Sequence, residues 1–122
     1  NTIVEIASLF DKVDPIVKSF FSCLDESKFL ERLETINAGG IILAGIESHV
    51  CIYQTSQDLL EQRKHVEVVV DCISSRNVDN HITAIDRMKM EGVSITSVEM
   101  LLFSLQKSAN GDTFKKLVKL VK

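Results

Sequence analysis

Apolar positions change period along this chain, and the changes mark its elements. The stretch from Gly39 to Leu60 shows this best. Gly39 and Gly40 precede four apolar residues, Ile41 to Ala44, and Gly45 follows. A short apolar run bounded by glycines predicts a buried strand. From about His49 the period becomes helical. Val50, Tyr53, Gln57 and Leu60 fall on one side, with Ile52, Thr55 and Leu59 beside them. The spacing predicts a helix to about Lys64, with Cys51 in its first turn.

The rest of the chain is built around that unit. From Asn1 to Asp14, Ile3, Val4, Ile6, Leu9 and Phe10 are apolar without a clean period. Pro15 disfavours helix at Asp14. Ile16 to Cys23 reads as a short extended segment, with Lys18 among apolar neighbours. Asp25 to Ile36 is amphipathic, and Phe29, Leu30, Leu33 and Ile36 form the stripe expected to be buried. Ser27 or Asp25 can cap that helix, and the glycines after Asn37 supply its stop. His65 to Asp71 carries Val66, Val68, Val69 and Val70, which predicts a strand covered on both faces. A polar loop, Asp71 to Arg76, follows. Val78 to Glu91 predicts a helix stopped by Gly92, with Met88 and Met90 as core filler. Val93 to Ser97 is a third strand. Thr96 and Glu99 have capping-box spacing for a helix from Val98 to Gln106. Asn110-Gly111-Asp112 is a turn, and a last helix runs from about Thr113 to Val121. Strands alternating with helices predict an α/β fold with a parallel sheet and right-handed crossovers.

Composition narrows the function classes. The 122 residues have the size of one domain. A net charge of −3 with scattered Lys and Arg argues against a nucleic-acid partner. The basic cluster Lys115, Lys116, Lys119 and Lys122 lies on the last helix, where it suits the negative helix end. No apolar run is long enough to span a bilayer and no signal peptide is visible, so no membrane role is expected. The three cysteines, Cys23, Cys51 and Cys72, form no framework. Such usage fits a reducing compartment, the cytoplasm or an organelle matrix. The chain opens at Asn1 with no methionine, and two expectations stay open: a processed fragment, or a protein of which part is missing.

Candidate chemistry gathers at Cys51. Unpaired N–H groups and the positive end of a helix dipole favour a thiolate in a first turn. A buried cysteine also serves as a small hydrophobe, and spacing alone leaves both roles open. His49 stands two residues before Cys51 and can line a pocket. Asp71, Ser74 and Ser75 follow a predicted parallel strand, where ligands bind in open α/β sheets. The same residue types also cap the next helix. His49, His65 and His81 stand as singletons without metal-ligand spacing. Neither a metal nor a cofactor is implied.

The run Gly45-Ile-Glu-Ser-His-Val-Cys51, continuing to Leu60, resembles the nucleophile segment of the isochorismatase-like cysteine hydrolases. Within that family it resembles the eukaryotic isochorismatase domain-containing proteins. Val68 to Arg76 resembles the next strand and loop, Thr96 to Glu99 the last strand-to-helix turn, and Phe114 to Val121 the C-terminal helix. The resemblance implies a three-layer α/β/α fold with a Rossmann-like parallel sheet of about six strands. The chain would be a single such domain lacking its first strands, which leaves the edge of Ile41–Ala44 open. It further implies a small-molecule substrate, Cys51 as nucleophile, and Lys18, within Lys18-Ser-Phe-Phe-Ser22, as the supporting lysine. A cis peptide is implied at Ile46–Glu47, turning the N–H groups of Glu47 and Cys51 towards an oxyanion. The family's aspartate, in an Asp-x-Gln-like motif after the first strand, has no match. Asp11 and Asp14 follow no apolar strand. Two functions stay open: a hydrolase that is inactive as this chain alone, or a non-catalytic module that homo-oligomerises through its open edge. A third, a redox-sensing thiol protein, requires a resolving cysteine near Cys51.

Overall fold

The computed structural model describes residues 3–9 and 14–121. Asn1, Phe10 and Asp11 lie outside the described residues. The element order is α1 (Val4–Ala7), α2 (Ser27–Ile36), β1 (Gly40–Ile46), a π-helical turn (Ser48–Ile52), α3 (Tyr53–Glu61), β2 (His65–Ser74), α4 (Val78–Met90), β3 (Ser94–Thr96), α5 (Val98–Gln106) and α6 (Gly111–Val121). The three strands form one parallel sheet in the order β1-β2-β3, flanked by helices. The α/β architecture with a parallel sheet is the one the alternating periods predict.

β2 is the middle strand, and its valines explain why. Val66, Val68 and Val69 are buried, and β-branched side chains suit a strand packed on both faces. Val66, Val68 and Ile73 join Leu33, Ile52, Leu59, Ala84, Met88 and Val93 in one core. Val69 points the other way by the pleat. It is buried too, and α5 lies against β2. Beyond α5, the Phe103 and Phe114 rings sit 6.3 Å apart and join α5 to α6.

The β1–β2 ladder is irregular. Leu43 faces Val68 and Gly45 faces Ile73, so two steps along β1 meet five along β2. The extra residues of β2 leave the ladder, and Asp71 and Cys72 are exposed. Gly45, at φ 123°, takes a backbone shape that only glycine adopts readily.

Several expectations are corrected. The Ile41–Ala44 run is not fully buried. β1 pairs with β2 alone among the described residues, and Ile42 is 50% and Ile46 72% exposed. An uninterrupted apolar run does not reveal which strand is at the edge. Ile16–Cys23 forms no strand: Ile16 to Lys18 have no regular structure and Ser19 to Cys23 are bends. β2 extends to Ser74, so residues Asp71 to Ser74 of the expected loop belong to the strand. Ile36 and Met90 are exposed, whereas Leu33 and Met88 fill the core positions of their helices. Asn37, not a glycine, takes the left-handed position that ends α2. Glu26 begins α2 without a side-chain cap, so neither Ser27 nor Asp25 serves. Thr96 is buried as the last residue of β3, and Ser97 caps α5 by accepting from Met100 N–H.

Leu59 is fully buried in the core. Leu59→Ala should cost about 2–5 kcal/mol through lost contacts and a residual cavity. Ile42→Ala, on the exposed edge, should cost less than about 1 kcal/mol. Urea unfolding of the two variants beside the parent checks the contrast.

Candidate functional site

The π-helical turn sends neighbouring side chains in different directions. The Glu47 carbonyl accepts from both Val50 N–H and Ile52 N–H at 3.2 Å. The N–H of Cys51, between them, is not among its donors. Ile52 enters the core. Ser48 is fully buried, with its Oγ 2.9 Å from His81 Nδ1 on α4. His49 Nδ1 is 2.9 Å from Ser75 Oγ, beyond the end of β2. Cys51, expected in the first turn of an α-helix, instead lies on this π-helical turn and is half-buried.

Lys18 meets Cys51 although 33 positions separate them. Its Nζ donates to Cys51 Sγ at 3.6 Å, and also to the carbonyls of Phe20 at 2.7 Å and Phe21 at 3.0 Å. The two carbonyls belong to the bends that follow Lys18, so the loop folds around its own ammonium. The same loop is tied to α3 one turn past Cys51. Cys23 N–H donates to Thr55 Oγ1 at 3.0 Å, and Thr55 is buried. Ser22, also buried, accepts from Leu24 N–H at 3.2 Å. A cation donating to sulfur stabilises negative charge there. Among the described residues no carboxylate lies within ion-pair distance of Lys18.

The Ile46–Glu47 peptide bond is cis. The Glu47 carboxylate accepts from Arg76 N–H at 3.0 Å and lies 3.7 Å from Arg76 Nε. Ile46, Glu47, Ser74, Ser75 and Arg76 line a cavity of about 290 Å³ at the carboxyl ends of β1 and β2. A second cavity, of about 360 Å³, is lined by His49, Tyr53, Asn80, Thr83, Ala84 and Arg87. Neither is lined by Cys51 or Lys18.

Asp71 is placed elsewhere. Its carboxylate accepts from Val98 N–H at 2.9 and 3.2 Å and caps α5, a helix further along the chain than capping of the next helix would have it. Asn77 caps α4 instead, accepting from Asn80 N–H. Ser74 lines the smaller cavity, and His49 lines the larger while reaching Ser75, which lines the smaller.

Sequence reasoning missed three contacts. Glu47 with Arg76 pairs opposite charges at the ends of neighbouring strands, a signal visible once the strands are aligned. Ser48 with His81 left no such signal. Arg87 and Glu91 have helical i, i+4 spacing and join at 2.6 Å, with the Tyr53 hydroxyl donating to Glu91 Oε1 and accepting from Arg87. The Glu91 carboxylate first, then the Tyr53 hydroxyl, holds the Arg87 guanidinium above its ordinary value. The three histidines do not converge, and no group of three or more His, Cys, Asp or Glu among the described residues could hold a metal ion.

Comparison with known proteins supplies independent context. The family model described as the Isochorismatase domain matches residues 3–100. A curated relative, the secreted isochorismatase effector of Phytophthora sojae, is 37% identical over the whole chain and 60% of its own length. Isochorismatase domain-containing protein 2 of Danio rerio is 34% identical over 88% of the chain and 54% of its own length. The chain thus spans little more than half the length of these relatives. A solved structure titled MAR1 ribonuclease from Caenorhabditis elegans superposes with a TM-score of 0.74 at 35% identity. The match covers 85% of this chain and 53% of that one.

The Cys23–Thr55 bond holds the Lys18 loop against α3. Thr55→Val should strand a Cys23 N–H and cost about 1–3 kcal/mol. It should also speed hydrogen exchange at amides 16–23 more than at those of β2, as read by mass spectrometry.

Proposed function

The chain belongs to the isochorismatase family, and from that membership we propose a small-molecule hydrolase with Cys51 as nucleophile and Lys18 as its supporting cation. One observation carries the reading: the Lys18 ammonium, held by two carbonyls, donates to Cys51 Sγ at 3.6 Å across 33 positions. A lysine held at a thiol from a separate segment is what an activated nucleophile needs. In the proposed reaction the thiolate sulfur bonds to a carbonyl carbon, and the C=O electron pair moves to oxygen. The N–H groups of Glu47 and Cys51 receive that oxyanion. Its collapse breaks the bond to the leaving group, which departs with a proton, and water then cleaves the thioester. The thiol proton needs an acceptor, and Lys18 is a donor. We place that acceptor, a carboxylate, outside the described residues, in a larger domain of which this chain is one part. On this reading the chain alone does not turn over. Cytoplasmic placement is part of the proposal and rests on cysteine usage, since all three thiols are free. No described helix is long and apolar enough to cross a membrane.

Alkylation separates this reading from a packing role for Cys51. Cys72 is exposed and Cys51 half-buried, so accessibility alone makes Cys72 react first. Iodoacetamide at mildly acidic pH should instead modify Cys51 first, and Lys18→Met should slow it about tenfold or more. Peptide mapping reads both. If Cys51 reacts no faster than Cys23 and Cys72, the nucleophile is lost. The Caenorhabditis neighbour is titled a ribonuclease, so a turnover screen of the complete protein sets small amides and esters beside single-stranded RNA. RNA cleavage without ester or amide turnover would overturn the small-molecule class.

A second reading is favoured by the edge of β1. Gly40–Ile46 carries no charge, pairs on one side only among the described residues, and exposes Ile42 and Ile46. Such an edge is a template for a further strand. On this reading the chain is a non-catalytic module in which two copies join β1 to β1. Sedimentation at micromolar concentration should show self-association that Ile42→Lys abolishes. A folded monomer would rule this out.

A further inference from the structure

The geometry points to a binding pocket for small monocarboxylates at the end of the sheet, with Arg76 as its recognition group. It rests on the hydrolase reading only where it makes the bound molecule a substrate, and binding itself asks nothing of Cys51. Ile46 ends β1 and faces Ser74, which ends β2. These two residues, with Glu47, Ser75 and Arg76, line the cavity of about 290 Å³. Its position, beyond the carboxyl ends of adjacent parallel strands, is where open α/β sheets bind ligands. Its volume lies at the lower end for small-molecule sites.

The side chains define the ligand. The Arg76 side chain is 83% exposed, and its Nε faces Glu47 Oε1 at 3.7 Å. That contact occupies one edge of the guanidinium. Among the described residues the two terminal nitrogens have no partner, which leaves a planar fork of donors. A fork of this kind fits a carboxylate through two parallel hydrogen bonds. Glu47 also accepts from Arg76 N–H at 3.0 Å, so its charge is already engaged. Its presence still limits the ligand. One guanidinium beside one carboxylate suits a single negative charge better than a dianionic phosphate. The Ser75 hydroxyl, fixed by His49 Nδ1 at 2.9 Å, gives the wall a second oriented polar group. Ile46, largely exposed, offers an apolar surface for the body of the ligand.

Benzoate and benzamide share a shape and differ in charge, and protein-observed NMR titration of the two tests the pocket. Benzoate should shift the amides of residues 46, 47 and 74–76, and benzamide should bind at least about tenfold more weakly. Arg76→Gln keeps the backbone N–H that Glu47 uses, so the strand ends stay joined. It should lower benzoate affinity about 10- to 100-fold and erase the preference over benzamide. Arg76→Lys keeps the charge but loses the fork, and should fall between the two. Equal binding of benzamide, benzoate binding unchanged in Arg76→Gln, or no benzoate shifts at millimolar concentration would each overturn the pocket. The titration does not read thiol chemistry. An unreactive Cys51 therefore removes the nucleophile and leaves the pocket, whereas a lost preference for benzoate removes the pocket and leaves the nucleophile.

Discussion

The strand β2 constrains everything else. Buried on both faces by Val66, Val68 and Val69, it fixes the helices above and below the sheet. Its second half then leaves register with β1, five of its steps meeting two. That irregularity does two things a regular strand could not. It turns Asp71 outward to cap α5 through Val98 N–H. It also carries the strand on to Ser74, where the backbone and guanidinium of Arg76 meet Glu47. Extra residues in a ladder commonly re-aim side chains near functional sites, and here they join the rigid centre of the fold to the start of the cysteine turn.

The Lys18 loop is held by a different kind of force. It has no strand partner, so its backbone groups are satisfied one at a time. Lys18 draws in the carbonyls of Phe20 and Phe21, and Thr55 takes the N–H of Cys23. Phe20 and Phe21 themselves remain exposed, so little apolar burial holds the segment. Segments fixed by a few polar contacts open at lower cost than core strands. The position of the ammonium at Cys51 Sγ therefore depends on three or four hydrogen bonds more than on packing.

The sequence made some of this legible and hid the rest for physical reasons. Period alone located β2, α4 and α5, because strand and helix bury side chains at different intervals. It failed at β1, where Ile41 and Ile42 read alike although one turns to the core and the other to solvent at the edge. It failed at Ile16–Cys23, since apolar residues in an irregular loop mimic an extended run. At α5 the cap is Ser97, one position past Thr96, because Thr and Ser in succession offer caps of similar strength, and α2 begins at Glu26 with no side-chain cap at all. Lys18 and Cys51 drew attention through a family resemblance. Their contact across 33 positions could not come from spacing. Glu47 and Arg76 lie 29 positions apart just past the ends of β1 and β2, and only strand register brings them together.

The π-helical turn explains how so many contacts converge on five residues. In an α-helix, Ser48 and Cys51 would be near neighbours on one face. A π-turn places more residues in each turn, so residues three apart no longer share a face, and here Ser48 goes to α4, His49 to the end of β2, Cys51 to the Lys18 loop and Ile52 into the core. Each of these partners comes from a different part of the chain. The turn is therefore fixed from four sides while the sulfur stays only half-buried. π-turns are often found at functional sites, and the reason is visible in this one. The geometry that frees the Cys51 N–H from the Glu47 carbonyl is the same geometry that aims Cys51 at Lys18.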